Sequence, residues 1–400
     1  MRIFSSYAAI GVALGSIPGS FAWGAAGHEI VATIAQMYLH PRVLPTLCGI
    51  LELPNDRCHL ASVATWADQH RYQMRWSAAL HYVGALDDYP SETCAFPGPR
   101  GWAGHPGVNV LDGIQNTTRL LQDWVNEDAS HDVANEALKF LIHFVGDMHQ
   151  PLHLTGRDRG GNSVKVRFGQ RTTNLHSLWD GYLIAQGVRT VSSNYSRPLP
   201  YPKIERALRG TIYDSYIRRI MWEGLLHPWA GNAAEWLSCA ADAEPTEPSD
   251  LMNSGLLGAW QSAYRATQKM VATFMRDGVE IMPDGPVLCP HHWAKPLHQL
   301  NCEIVWPKAL DDVRYSGRFD SRDNHDCADE ALFGEEEEEE DDDDAFDGLL
   351  DLDTPEYAGV IAKRLLIEKL LAQGGIRLAG LLNYIFAREG PELGPFVVNM

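Results

Sequence analysis

Positive charge is scarce in this chain of 400 residues, which has 33 lysines and arginines against 52 aspartates and glutamates. The formal net charge is −19, and ten of the negative charges form one uninterrupted run over residues 335–344. This balance excludes a protein that holds nucleic acid through a broad surface of lysine and arginine, because such binding neutralises phosphates with positive charge. If the substrate is a polyanion, bound metal ions must supply the local positive field.

The sequence also lacks an apolar run long enough to span a membrane. The apolar stretch over residues 7–17 follows Arg2 and is too short to cross a bilayer. Ser20 and Ala22 are small residues at the −3 and −1 positions of a signal-peptidase site. We therefore predict that residues 1–22 are a secretory signal peptide, that the mature chain begins at Trp23, and that the protein is extracellular.

The seven cysteines include no C-x-x-C pair, so nothing indicates a cysteine zinc site. In an oxidising compartment most of them are expected to form disulfides, and Cys48 and Cys58 are close enough in sequence to close a local loop. Acceptor tripeptides for N-glycosylation at Asn116 and Asn194 fit a secreted chain.

Helical patterns cover much of the remaining sequence, over residues 23–47, 61–71, 135–149, 175–184 and 357–386. In the last of these we expect an interruption at Gly374 and Gly375. Alternating apolar residues from Val164 to Phe168 predict a short strand or hairpin. Two stretches have the composition of insertions, one around 240–290 and an acidic one around 314–353, and the acidic stretch is predicted to be disordered.

Histidine and aspartate recur at metal-ligand spacing. His143 and Asp147 are four residues apart and project from one face of an apolar helix, and the spacing of His176 and Asp180 is the same. A buried aspartate is costly unless it is paired or bound to a metal, and imidazole with carboxylate is a donor set that suits zinc. Together with His153, these pairs predict a multinuclear metal site. His149 is predicted to face away from it.

The motifs that contain these residues, in chain order, resemble a known family. They are WGAAGH (23–28), WAD (66–68), LHY (80–82), HFVGDMHQPLH (143–153), GGN (160–162) and NLHSLWD (174–180). The match is to the secreted, three-zinc, single-strand-specific nucleases of fungi and plants. It is dense over residues 23–181 and resumes near the C-terminal end. It implies one nuclease domain over residues 23–390, mostly α-helical, with a zinc cleft between helices and one small β-hairpin.

The resemblance implies three zinc ions and a ligand set for each. The first would be held by Asp68, His81, His143 and Asp147. The second would be held by His28, by Asp147 as a bridge, and by the amino nitrogen and carbonyl oxygen of Trp23, which only signal cleavage would free. The third would be held by His153, His176 and Asp180.

The resemblance also implies the reaction, which is hydrolysis of phosphodiester bonds in single-stranded DNA and RNA to 5′-nucleotides. A hydroxide between the two ions that Asp147 bridges would attack phosphorus, with Asp68 orienting it or accepting its proton. Arg71 and Asn174 would contact the phosphate. The residue after His81, Tyr82, could stack on a base, and packing in the core is the alternative role for it. 3′-Nucleotidase activity is left open, and no protein partner is implied.

The sequence departs from the family pattern at several positions. Gly84 stands where some members have an aspartate that bonds the base edge, so base preference is not fixed. The family's long-range disulfide corresponds best to Cys94 and Cys302, while Cys239, Cys289 and Cys327 stay unassigned.

Two other functions remain as alternatives. A lipid phosphodiesterase of the phospholipase C type would use a similar set of metal ligands. The complete motifs around His143 and His176, together with Arg71, argue against this alternative. A secreted zinc-binding protein without activity is the second alternative, and the open coordination positions argue against that one.

Overall fold

The structure is a computed structural model that describes residues 23–239, 284–285, 287–312 and 348–387. The predicted signal peptide, most of both predicted insertions and Cys327 lie outside the described residues. The described part is mostly α-helical with one two-stranded sheet, which confirms the predicted fold class. None of the described helices has the combination of length and apolarity that crossing a membrane requires.

Thirteen α-helices are present in the described residues. They are α1 (Ala25–Tyr38), α2 (Val43–Ile50), α3 (Trp66–Gln69), α4 (Val110–Val125), α5 (His131–Met148), α6 (Leu175–Ser177), α7 (Leu183–Thr190), α8 (Pro202–Ala207), α9 (Asp214–Ile220), α10 (Ala233–Leu237), α11 (Pro290–Leu300), α12 (Ala358–Lys363) and α13 (Leu366–Phe386). Short 3₁₀ turns occupy Leu60–Val63, Arg75–His81, Pro151–Leu154, Arg157–Arg159, Ser193–Ser196 and Lys308–Asp311, and π turns occupy Leu178–Tyr182, Met221–Leu225 and Asn301–Val305.

The helix predicted over residues 23–47 is divided in two. α1 ends at Tyr38 because Leu39 is extended, with ψ of 143°, and Pro41 cannot continue the ladder of backbone hydrogen bonds. α1 is buried on almost every side, which places Ile30 and Ile34 in the core.

The long C-terminal helix packs along α1. The predicted interruption at Gly374 and Gly375 is wrong, because α13 continues through both residues. The break comes earlier, at Leu365, whose φ is 49°. A Cβ on Gly375 would lie 2.5 Å from Cγ2 of Ile34, so the glycines allow the two helices to approach closely rather than ending one of them.

α4 and α5 pack against each other, and both begin with side-chain caps. Asn109 accepts hydrogen bonds from the backbone N–H groups of Leu111 and Asp112, and Ser130 accepts one from Val133. α5 ends at Met148, shortly before Pro151. Phe140 and Phe144 on α5 are fully buried, so this helix runs through the core.

The sheet is the hairpin that the alternating residues predict. β1 (Lys165–Phe168) pairs antiparallel with β2 (Arg171–Asn174), and β2 leads directly into α6. On the other side of β1, the backbone N–H of Arg167 donates to Leu350 (2.9 Å), and that of Leu352 donates to Arg167 (2.9 Å). The C-terminal end of the acidic stretch predicted to be disordered is therefore ordered, since it is held against the hairpin.

Three disulfides connect described residues. Two join the predicted pairs, Cys48 with Cys58 and Cys94 with Cys302. The third joins Cys239 with Cys289, which the sequence left unassigned.

The two predicted glycosylation sites differ in exposure. Asn194 is exposed. Asn116 lies inside α4, is 4% exposed, and its Oδ1 accepts a hydrogen bond from Arg119. The prediction at Asn116 is wrong for the folded protein, since a buried side-chain amide has no room for a glycan.

Candidate metal centre

Nearly all the predicted ligands come together in three adjoining groups of buried side chains. Within each group the possible ligand atoms lie within 4.8 Å of one another. The His28 group is His28, His143 and Asp147; the Asp68 group is Asp68, His81 and His143; and the His153 group is His153, His176 and Asp180.

Different elements contribute these side chains. α1 provides His28, and α5 provides His143 and Asp147 from successive turns of one face. The other members lie on short elements packed around these two helices: Asp68 on α3, His81 at the end of its 3₁₀ turn, His153 on the turn after Pro151, and His176 and Asp180 on α6 and the π turn that follows.

Asp147 lies at the centre of the arrangement and is fully buried. Its Oδ1 is 3.3 Å from Nε2 of His28. Its Oδ2 is 3.0 Å from Nδ1 of His81 and 3.5 Å from Nε2 of His143. The two oxygens therefore face different histidines, which is the arrangement that a bridging carboxylate requires.

Backbone carbonyls orient three of the histidine rings. Nδ1 of His143 donates to Ala64 (2.7 Å), that of His153 donates to His81 (2.6 Å), and that of His176 donates to Gly160 (2.7 Å). Because the carbonyl partner fixes the proton on Nδ1, each Nε2 is left with a lone pair. A metal-binding histidine needs this tautomer.

The atoms that face into the groups lack hydrogen-bond partners. They are buried and unpaired: Nε2 of His28, His143 and His153, Oδ2 of Asp68, Oδ1 of Asp147 and Oδ2 of Asp180. Buried polar atoms are almost always paired, so six unpaired donors and acceptors in one place indicate a missing partner. Nitrogen and oxygen together fit zinc, and the residues present therefore fit a metal cluster.

The charges of the groups are strongly coupled. Burial lowers the pKa of His143, but the carboxylates of Asp147 and Asp68 outweigh it and raise that pKa to about 9. Burial also opposes ionisation of Asp147, yet His143 and its other histidine neighbours hold its pKa well below the usual range. Without a metal, a proton on His143 therefore balances part of the negative charge, and a bound cation would displace it.

At three other residues of the cluster, burial outweighs the neighbouring charges. It lowers the pKa of His28 to about 4 and that of His176 to about 3, and a neighbouring histidine adds to each shift. Burial and then the charge of Asp147 raise the pKa of Asp180 well above its usual value, although a hydrogen bond from Gln150 opposes this. The neutral imidazoles of His28 and His176 can bind a cation. A cation bound beside Asp180 would offset the cost of ionising this buried carboxyl group.

The remaining predicted site residues surround the groups. Trp23 is fully buried, and the N–H of the next residue, Gly24, donates to the carbonyl of Asp180 (2.8 Å). The start of the predicted mature chain is therefore close to the His153 group. Tyr82 directly follows His81 and is half-buried.

The two predicted phosphate contacts have partners of their own. The guanidinium of Arg71 donates to the hydroxyl of Tyr72 (3.0 Å), and its backbone N–H bonds to the carbonyl of Asp68. Oδ1 of Asn174 accepts a hydrogen bond from the N–H of Ser177 (2.7 Å), so Asn174 caps the helix that carries His176. The capping role was not predicted, although asparagine before a helix is a known signal.

Sequence reasoning also missed the contacts that support the ligands. Gln150 donates to Asp180 (2.6 Å). Four consecutive residues, 158–161, have positive φ, and the third of them, Gly160, supplies the carbonyl that holds His176. A Cβ on Gly160 would lie 2.7 Å from the carbonyl oxygen of Leu152, so this position requires glycine. The Gly160-Gly161 pair predicted a turn and did not reveal this role.

Comparison with known proteins gives one consistent family. The profile of the S1/P1 nuclease family matches residues 23–330. Nuclease P1 of Penicillium citrinum is 40% identical over 163 residues, which is 40% of this chain and 58% of that protein. Nuclease S1 of Aspergillus oryzae is 33% identical over 241 residues, covering 59% of this chain and 79% of its own length. Endonuclease 4 of Arabidopsis thaliana is 32% identical over 257 residues, covering 62% and 78%.

Proposed function

Since the chain belongs to the S1/P1 nuclease family, we propose that it is a secreted zinc-dependent nuclease. Its reaction would be hydrolysis of phosphodiester bonds in single-stranded DNA and RNA to 5′-nucleotides, with three zinc ions. The observation that carries the proposal is the set of six buried ligand atoms without partners in three adjoining groups.

The ligand sets follow the groups. Asp68, His81, His143 and Asp147 would hold the first ion. His28, Asp147 and the amine and carbonyl of Trp23 would hold the second, and His153, His176 and Asp180 the third. His143 also lies beside His28, with ring centroids 3.8 Å apart, so the first two ions would be neighbours.

Processing and secretion are part of the proposal. The family match begins at Trp23, and the side chain of that residue is buried in the core. A chain cut before Trp23 would have its new amine beside the cluster. Three disulfides support an extracellular location, since such bonds persist in oxidising compartments.

The zinc ions, when bound, would supply positive charge for the phosphate and would make a water molecule acidic near neutral pH. One oxygen of Asp68 would bind the first ion, and the other would orient the attacking water or accept its proton. Arg71 would hold a phosphate oxygen by charge-assisted hydrogen bonds. The NH₂ group of Asn174 would hold another, since only its Oδ1 is used by the helix cap.

Tyr82 would bind a base by stacking, which is worth about 1–3 kcal/mol per base in single-strand-binding proteins. Single-strand preference follows from this contact, because a paired base is stacked within a duplex and does not present a free face. Gly84 has no side chain with which to contact a base edge, and a Cβ at that position would lie 2.8 Å from the backbone nitrogen of Gly156, so a larger residue does not fit there.

The test uses protein that begins at Trp23. Bound metal is measured by elemental analysis, and the same sample is assayed on single-stranded and duplex DNA, with and without a chelator. We expect about three zincs per chain and chelator-sensitive cleavage of the single strand. Cleavage of phosphatidylcholine vesicles without cleavage of DNA would replace the proposal by the lipid phosphodiesterase, and zinc with neither activity would favour the zinc-binding protein.

The same assay tests the role of the N-terminus. A chain that retains Ala22 differs by one residue and has no free amine on Trp23. We expect this chain to bind less zinc than the chain that begins at Trp23. Equal zinc content would remove Trp23 from the ligand set.

A further inference from the structure

Gln150 connects ligands of two different groups. Its backbone N–H donates to the carbonyl of Asp147 (2.9 Å), and its own carbonyl accepts from the N–H of His153 (3.0 Å). Its side chain is fully buried, and the side-chain NH₂ donates to Oδ1 of Asp180, 2.6 Å away. One residue that is not itself a ligand therefore contacts three proposed ligand residues.

The orientation of the Gln150 amide follows from its partners. Oε1 accepts a hydrogen bond from the backbone N–H of Leu152 at 2.6 Å. An N–H can only donate, so the oxygen of the amide must be at that end and the nitrogen must face Asp180. The contact with Asp180 is therefore a donated hydrogen bond to a carboxylate oxygen.

This hydrogen bond distinguishes the two oxygens of Asp180. Oδ1 is occupied by Gln150, whereas Oδ2 is buried, lacks a hydrogen-bond partner, and lies 3.2 Å from Nε2 of His176. We propose that Gln150 is a positioning residue that fixes Asp180 with Oδ2 facing His176 and thereby builds the third metal site. This inference rests on the proposed function, because it concerns one of the three zinc sites assigned there.

The variant Gln150→Glu tests the hydrogen bond directly. It keeps the side-chain length and an oxygen that can accept from Leu152, and it replaces the NH₂ group by an oxygen that faces Oδ1 of Asp180. We expect zinc content to fall from about three to about two per chain, with the weakest zinc affinity reduced roughly 10–100-fold. Elemental analysis after dialysis against buffered zinc, and competition with a chromophoric chelator, measure these two quantities.

Asn383→Asp is the matched control. Asn383 is also a buried amide with both ends in use, since its Nδ2 donates to the carbonyl of Tyr38 (3.0 Å) and its Oδ1 accepts from the N–H of His40 (2.7 Å). The substitution makes the same chemical change on α13, at a residue outside the three groups. We expect this variant to keep about three zincs.

Thermal unfolding separates positioning from a general loss of stability. Bound zinc raises the unfolding midpoint of the folded protein, and a lost site reduces that increase. We expect Gln150→Glu to lose part of the zinc-induced increase, and Asn383→Asp to lower the midpoint by a similar amount with and without zinc, so that its zinc-induced increase is unchanged. Gln150→Met, which is uncharged and also lacks the donor, should lose the same zinc ion if the acidic variant fails to fold.

The outcomes distinguish this inference from the proposed function. Wild-type zinc content and affinity in both Gln150 variants would overturn the positioning role alone. A wild-type protein that binds three zincs and cleaves no nucleic acid would overturn the proposed function, and the variants would still decide the role of Gln150. A wild-type protein without zinc would overturn both.

Discussion

At the scale of single residues, Asp147 and Asp180 differ in how many histidines their carboxylates face. Oδ1 of Asp147 faces His28 and Oδ2 faces His81 and His143, whereas Asp180 faces one histidine, His176, through Oδ2 and accepts from Gln150 at Oδ1. We expect Asp147→Asn to lower kcat/KM on single-stranded DNA at least about tenfold more than Asp180→Asn, a difference of about 1.4 kcal/mol or more in transition-state stabilisation. Steady-state kinetics with zinc analysis on both variants measures this, and equal losses would contradict a bridging Asp147.

His149 gives a pH prediction that does not depend on a bound metal. Burial, and then the charge of Arg377, hold the pKa of His149 well below its usual range. The unfolded chain takes up a proton near pH 6.5 and the folded chain does not, so this residue makes the protein lose stability as pH falls below about 6.5.

His149→Gln removes that titration and keeps a donor for Val145 and an acceptor for Arg377. Between about pH 6.5 and 5, we expect the unfolding free energy of the variant to fall less steeply, by up to about 1.4 kcal/mol per pH unit. Urea unfolding of the chelated proteins at several pH values measures both slopes. Parallel slopes would show that His149 does not titrate differently in the two states.

At the scale of elements, α1, which carries His28, packs closely along α13. A methyl group on Gly375 would meet Cγ2 of Ile34 at 2.5 Å and the carbonyl oxygen of Val31 at 3.1 Å. Gly375→Ala should therefore destabilise the protein by about 1–3 kcal/mol, although alanine is the better helix former. Chemical denaturation measures the change.

Gly49→Ala is the control for this substitution. Gly49 also lies in a helix, and a Cβ there would meet nothing within 4 Å. We expect it to stabilise the protein by about 0.5–1 kcal/mol, because alanine loses less backbone entropy in a helix. If both substitutions changed stability in the same direction, crowding between α1 and α13 would not be the cause.

Spacing in the sequence predicted five of the proposed ligands, whereas Trp23, His28, Asp68 and His81 were implied by the family resemblance. Residues four apart on a helix share a face, so His143 with Asp147 and His176 with Asp180 could be paired without a structure. Whether the three groups lie next to one another depends on tertiary packing. The family resemblance implied this arrangement, and spacing alone could not. The supporting contacts from Ala64, Gln150 and Gly160 were missed because each joins residues distant in sequence or uses the backbone.

Local patterns failed where a neighbouring element decides the outcome. The glycine pair at 374–375 predicts a helix break when it is considered alone. In the structure, the helix continues because α1 packs directly against both glycines. The acceptor tripeptide at Asn116 carries no information on burial, and α4 places it in the interior. The third disulfide joins Cys239 with Cys289 across residues 240–288, where the sequence offers no pattern to predict it.

At the scale of the whole molecule, a net charge of −19 limits how the protein can hold a polyanion. The proposed phosphate contacts outside the metal cluster are few, Arg71 and Asn174, and only Arg71 carries a charge. Affinity for single strands falls with salt in proportion to the number of phosphates neutralised, with a logarithmic slope of about −0.7 for each. Metal-centred binding of one or two phosphates therefore predicts a shallow dependence on salt.

We expect Kd for single-stranded DNA to rise by less than about tenfold between 50 and 200 mM salt, since two neutralised phosphates correspond to roughly a sevenfold change. The measurement needs conditions without turnover, for example a non-hydrolysable phosphorothioate strand, at a fixed free zinc concentration. A matched series on Arg71→Gln should be shallower still, by about 0.7 in slope. A rise of about a hundredfold or more would require some five neutralised phosphates, and the strand would then follow a cationic path on the surface that the composition argues against.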